Sequence, residues 1–211
     1  CLRRLAALRS SVGQHDAAIE VWTFLNNRDP LNSPNTIGIA IDHWFAGRLD
    51  SALDAIAEAR GLNHEDVPSV HALEAMVRVF RSGEGDLSAA LEAAQAESVE
   101  GWRLEALATT QYALGNHAES DEALGQLVGE YAEGWPYNIA VVYAFRGEHD
   151  RAFEWLERAI ERGDSGITIA NSDPTLRKLH ADPRWLPFLT KIGQSPEQLA
   201  RVHLAFDLPS S

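Results

Sequence analysis

The chain has 211 residues, of which 45% are hydrophobic and 23% charged, and its formal net charge is −13. That length suits one repeat array or at most two small globular domains, and the composition argues against disorder as a description of the whole. With 31 acidic against 18 basic side chains, the clustered Lys and Arg that grip phosphates are missing, which argues against a nucleic-acid partner and against an anionic membrane surface.

Cys1 is the one cysteine. It can form no intrachain disulfide and no Cys-based zinc site, which is compatible with a reducing cytoplasm, and a cytoplasmic location is expected. A cysteine at a mature N-terminus is also the mark of a lipid-anchored protein, but Leu2, Arg3 and Arg4 read as part of a basic helix. The most apolar run, residues 139–145, is far too short for a membrane span, and no signal peptide is visible.

Taken in chain order, one phrase recurs: a Gly, then a small residue five positions later, usually followed by an aliphatic or aromatic one. It runs Gly13 to Ala18, Gly47 to Ala52, Gly85 to Ala90, Gly115 to Ser120 and Gly147 to Ala152. The first two Gly are 34 residues apart, a period typical of two-helix repeats. Each phrase predicts a helix, a tight turn and a second helix. The Gly closes the first helix with a left-handed backbone, and the small residue lets the two helices approach. Upstream lie Leu5-Ala6, Ile39-Ala40, Leu107-Ala108 and Ile139-Ala140, a pattern the third unit breaks with Val77-Arg78. Downstream, Trp22, Ile56, Leu124 and Leu156 are expected on the inner face of the second helix. Asp29-Pro30 ends the first unit. A longer connection spans residues 62–68.

These five phrases in register resemble the tetratricopeptide-repeat (TPR) family over nearly the whole chain. The resemblance implies an all-α fold: an α-solenoid, a right-handed superhelix of about five helix-turn-helix repeats with a C-terminal capping helix. The array and its capping tail are expected over 1–193, with a C-terminal extension over 194–211 that packs on it. Leu176, Leu179, Trp185, Leu186, Phe188 and Leu189 are suited to covering the last repeat's apolar face. The closing stretch, from Ala152-Phe153 through Asp173-Pro174 to Trp185, is similar to the C-terminal TPR region of bacterial multidomain signalling proteins. In those, the array follows a winged-helix, nucleotide-cyclase or kinase domain, so the resemblance implies an effector domain upstream of Cys1 and no catalysis in the chain itself.

Candidates for chemistry are few. His15, His117 and His149 share the repeat position two after the Gly, where the family places a packing aromatic. His64 and His71 flank Glu65 and Asp66, but their spacing and Pro68 do not make the His-Glu-x-x-His helix of zinc hydrolases. No phosphate-cradling Gly loop or nucleophile elbow occurs. No cofactor and no metal are expected, and a small-molecule or metal-binding module using His64, His71 and the nearby acids ranks last among the alternative readings.

In the TPR family the first helix of each repeat lines a concave groove. Carried onto this sequence, the groove positions are Ile37, Ile41 and Trp44; Ala75, Val79 and Ser82; Trp102, Glu105, Thr109 and Tyr112; and Tyr137 and Val141. The set lacks the Lys, Asn and Arg with which chaperone-binding relatives grip a C-terminal carboxylate, so that role is rejected. An apolar, aromatic groove suits a protein or peptide segment that is amphipathic or hydrophobic. Two alternatives stand beside it. The same residues suit a core filled from within, with the tail from Gln194 to Ser211 (Leu199, Val202, Leu204, Phe206) as occupant, and the array also suits a homodimerisation platform. The acidic residues between Glu84 and Glu133 read first as a solvated face and second as a surface steering a basic partner.

Overall fold

The computed structural model describes residues 2–61, 69–83 and 85–204. Among them every regular element is helical, and successive helices pack in pairs, as in an α-solenoid. The pairs are α1 (Leu2–Ser11) with α2 (His15–Arg28), α3 (Ser33–Phe45) with α4 (Leu49–Gly61), α5 (Val70–Arg81) with α6 (Asp86–Ala96), α7 (Glu100–Ala113) with α8 (His117–Tyr131), and α9 (Pro136–Arg146) with α10 (His149–Arg162). Two 3-10 turns follow, Ser165–Ile169 and Pro174–Leu179, then the short helices α11 (Trp185–Lys191) and α12 (Pro196–Leu199).

The hairpins form where the Gly phrases predict them. Gly13, Gly47, Gly85, Gly115 and Gly147 all have φ between +76° and +82°, a region L side chains rarely enter. In four hairpins the turn closes with a paired hydrogen-bond pattern. In the first, Gly13 N donates to Ser10 O at 3.0 Å and Gln14 N to Arg9 O at 2.8 Å. This Schellman pattern satisfies carbonyls the helix end would otherwise leave open. The third hairpin closes differently. Ser82 takes the left-handed conformation, and the Asp86 carboxylate accepts from Gly83 N at 2.7 Å and Arg81 Nε at 3.0 Å.

The small residues are where helix meets helix. Ala6, Ala40, Ala108 and Ala140 are fully buried, as are Ala18, Ala52, Ala90, Ser120 and Ala152. Ser120 is accommodated because its hydroxyl donates to Ala108 O at 2.6 Å on the facing helix. Arg78 is accommodated by charge: its guanidinium lies 2.8 Å from Glu74 Oε1 and 3.6 Å from Asp86 Oδ1. Ile56, Leu124 and Leu156 are buried as expected, while Trp22 is half-buried.

The chain divides into two compact units. One holds α1 to α4 with Thr168–Pro174 and the segment from Pro183 on; the other holds α5 to α10 with Thr175–Asp182. In the first unit, Trp22 lies flat on Gly38: a Cβ there would stand 2.5 Å from the Trp22 ring. Its indole donates to Asp42 Oδ2 at 3.0 Å. Trp185, Phe188 and Leu189 of α11 are buried. Leu186, expected among them, is 57% exposed, because the three buried side chains already occupy the inward side of this short helix. Gln194 ties this segment together, donating to Thr168 O at 2.5 Å and accepting from Asn171 N at 3.1 Å.

In the second unit the apolar core gathers Ala72, Ala75, Val79, Ala90, Ala93, Ala94 and Ala106, with Trp102 and Phe145 packed against it. Carboxylates, one buried and one half-buried, start the helices here. Glu97 accepts from Ala72 N at 3.1 Å, and Asp164 accepts from Tyr137 N at 3.0 Å and Gly166 N at 2.9 Å. Anions are favoured at such helix starts. The reading of the acidic stretch as a solvated face therefore needs correction for Asp86, Glu97 and Glu105, which are only 4%, 2% and 7% exposed. Glu92, Glu119, Asp121, Glu122, Glu130 and Glu133 do face solvent, and Glu84 lies outside the described residues.

Candidate partner-binding face

The expected groove residues lie on the first helix of each pair, three or four positions apart, so that each set shares one helix face. In α3 these are Ile37, Ile41 and Trp44; Ile37 and Ile41 are half-buried, and Trp44 is buried beside Phe45, with ring centroids 5.3 Å apart. In α5, Ala75 and Val79 belong to the core, while Ser82 is exposed at the turn. In α7, Trp102 and Tyr112 are half-buried, and Glu105 and Thr109 are buried. In α9, Tyr137 and Val141 are 3% and 2% exposed.

Polar and aromatic contacts bind α7 to α9. Asn138 Nδ2 donates to Glu105 Oε2 at 2.8 Å, and the Tyr112 hydroxyl donates to Arg146 O at 3.0 Å. The Arg146 guanidinium stands 5.3 Å from the Tyr112 ring centroid. Burial works against the Arg146 charge, but its hydrogen bonds to Asp121 and Glu148 outweigh it and raise its pKa. Trp102 meets Trp135 at 4.7 Å between centroids, and Trp135 meets Tyr131 at 5.4 Å. Trp135 in turn packs on Gly101, where a Cβ would come within 2.8 Å of the ring.

The row on α9 continues beyond the expected pair. Phe145 follows Val141 by four residues and so shares its face; its ring contacts Phe80 at 5.9 Å and Tyr112 at 6.2 Å. Both ends of the row are covered by chain that follows α10. Gly166 lies against Tyr137, so closely that a Cβ would be 2.4 Å from that ring. Lys178 donates to the main-chain carbonyl of Phe145 and stands 5.2 Å from the centroid of its ring. Leu176 and Leu179 on the same segment are fully buried. Phe145, Phe80, Trp135 and Tyr131 were absent from the expected site. For Phe145 the signal was available as the next step in the Tyr137, Val141 spacing.

The tail from Gln194 contributes differently. Leu199, Val202 and Leu204 are half-buried, and Phe206 lies outside the described residues.

The histidines fall apart into separate surroundings. His15 Nδ1 is 2.8 Å from Asp42 Oδ1, the His117 ring packs on Tyr112 at 5.0 Å, and His149 Nδ1 is 3.5 Å from Asp182 Oδ2. His64, Glu65 and Asp66 lie outside the described residues, as does Cys1. Among the described residues no three His, Cys, Asp or Glu side chains gather as metal ligands. A surface hollow of about 640 Å³ over the α9–α10 turn is lined by Gly147, Glu148, His149, Asp150, Arg151 and Glu154. Its side chains all come from the one turn and the start of α10, with no facing wall to hold a substrate. Among the described residues no helix is long and apolar enough to cross a membrane.

No protein-family model matches the chain, and no curated protein matches it. Among solved structures, the crystal structure of MamA is similar to it at 17% identity, covering 74% of this chain and 92% of that one, with a TM-score of 0.49.

Proposed function

We propose that the chain is a protein-interaction module that holds an apolar or amphipathic segment of a partner against the first helices of its repeats. Its setting is a larger cytoplasmic regulator, and its work is binding without chemistry. The observation that carries this reading is that each compact unit leaves large side chains half-open on the first helices of its pairs: Ile37 and Ile41 in one, and Trp102 and Tyr112 in the other. Aromatic and aliphatic anchors of this kind bring much contact area at small entropic cost. The test is selection of amphipathic helical peptides from a displayed library, followed by Ile41→Ala and Trp102→Ala in the chain. Loss of about 2 kcal/mol of binding energy in either variant is expected for an anchor. Unchanged affinity in both removes the reading.

Three leucines on the first unit support a second reading, self-association of the parent protein. Leu8, Leu31 and Leu186 are 46%, 68% and 57% exposed, and they are the apolar side chains that a second copy of the chain would cover. Sedimentation of the chain at high concentration decides it: a monomer rejects this reading for the chain.

A further inference from the structure

At two places in the second unit an aromatic ring beside carboxylates is covered by one of the chain's own arginines. Arg158 stands over the Trp155 ring at 4.3 Å and pairs with Glu154 at 2.7 Å. Arg146 stands 5.3 Å from the Tyr112 centroid and pairs with Asp121 and Glu148. A guanidinium suits both neighbours at once, because its flat face stacks on the ring while its edge donates to the carboxylate.

A third place has the rings and the carboxylates without the arginine. Trp135 touches both Trp102 and Tyr131, and all three are half-buried. Trp135 is set by its close packing on the bare backbone of Gly101. Glu130 precedes Tyr131 in the chain, Glu133 stands midway between Tyr131 and Trp135, and both are exposed. Among the described residues no cation stands over any of the three rings. Arg162 pairs with Glu133 at 2.6 Å, and Glu130 is in no ion pair among the described residues.

We propose that Trp102, Trp135 and Tyr131, together with Glu130 and Glu133, seat an arginine side chain of the partner segment. The proposal rests on the interaction-module reading, in which Trp102 is an anchor, and adds to it the partner's chemistry: a segment apolar on one side, with an arginine placed to reach these rings. Charge favours the same occupant. The second unit carries twenty-one acidic against nine basic side chains, and so holds all but one of the net −13. A basic segment is drawn to such a surface and an acidic one is repelled. Lysine fits less well, because its compact and strongly hydrated ammonium cannot lie flat on a ring.

The experiment uses the full chain and labelled amphipathic helical peptides of leucine and alanine, read by fluorescence anisotropy. One peptide carries arginine on its polar side, and its twins carry citrulline or lysine there. The arginine peptide should bind about fivefold or more tighter than either twin. Glu130→Gln with Glu133→Gln should remove most of that preference while leaving citrulline binding unchanged, and Trp135→Leu should remove it too. If Trp135→Leu loses its helical circular dichroism, the double glutamine variant decides alone, since both of its positions are exposed. Either twin matching the arginine peptide overturns the proposal but leaves the interaction-module reading standing. An arginine preference that survives in the folded variants places the seat elsewhere and overturns it as well. Binding of none of the three peptides sinks both ideas.

Discussion

The imidazole of His15 and the carboxylate of Asp42 meet at 2.8 Å, joining the second helix of the first hairpin to the first helix of the second. The other carboxylate oxygen accepts from the Trp22 indole. Asp42 is 1% exposed, so its charge is held by these groups and not by water.

Removing that carboxylate should therefore be costly. Asp42→Ala leaves two polar groups without their acceptor, at about 1–3 kcal/mol each for a buried group. Asp42→Asn keeps an acceptor oxygen and should lose less. Urea unfolding followed by Trp fluorescence measures both. Equal, near-zero losses would show that water replaces the contact freely.

Glycine-to-alanine changes inside helices should split by sign. At Gly38 and Gly101 the new Cβ would meet Trp22 at 2.5 Å and Trp135 at 2.8 Å, and overpacking of this kind costs about 1–3 kcal/mol. At Gly125 in α8 nothing lies within 4 Å, so Ala should stabilise by up to about 1 kcal/mol through helix propensity. Thermal melts of the three variants check the order; the same sign at all three would contradict the packing.

Arg78→Ala restores the small residue that the other repeats carry, yet it should destabilise. Glu74 and Asp86, 7% and 4% exposed, would each lose a cationic neighbour, at about 1–3 kcal/mol in total. Gain of stability in chemical denaturation would mean that the small residue matters more than the charge.

Acid should weaken the chain in two windows. Burial, followed by the charge of Arg48, lowers the His43 pKa below its ordinary value of 6.5, in keeping with its Nδ1 accepting from Arg48 Nε at 2.9 Å. The unfolded state then binds the proton first, so stability falls as pH drops below 6.5. Asp86 is shifted down chiefly by its hydrogen bond from Arg81. Its contribution is full above its ordinary value of 3.8 and is lost as pH falls further, through the lower folded value. His43→Gln should flatten the first window and Asp86→Asn the second, in unfolding free energies measured across pH.

Much of the fold could be read from residue spacing, and less of the site. The hairpin turns followed from Gly13, Gly47, Gly115 and Gly147, because a left-handed residue at a helix end is a local requirement. Ser82 escaped that reading, since a side-chain carboxylate at Asp86 closes its turn. Arg78 looked like a flaw until Glu74 and Asp86 were placed beside it. Phe145 was legible as one more step along the α9 row. Trp135 was not, because its place depends on the bare backbone at Gly101.

By itself the amino-acid order determined what local physics controls. It set where helices start and stop, which positions must be small for two helices to touch, and which side chains share a helix face. Only the tertiary structure decided what lies upon each face. Tyr137 and Phe145 are covered by Gly166 and Lys178, about thirty residues further along the chain. Such a contact depends on where a non-repeating segment folds back, and that route leaves no periodic trace in the sequence.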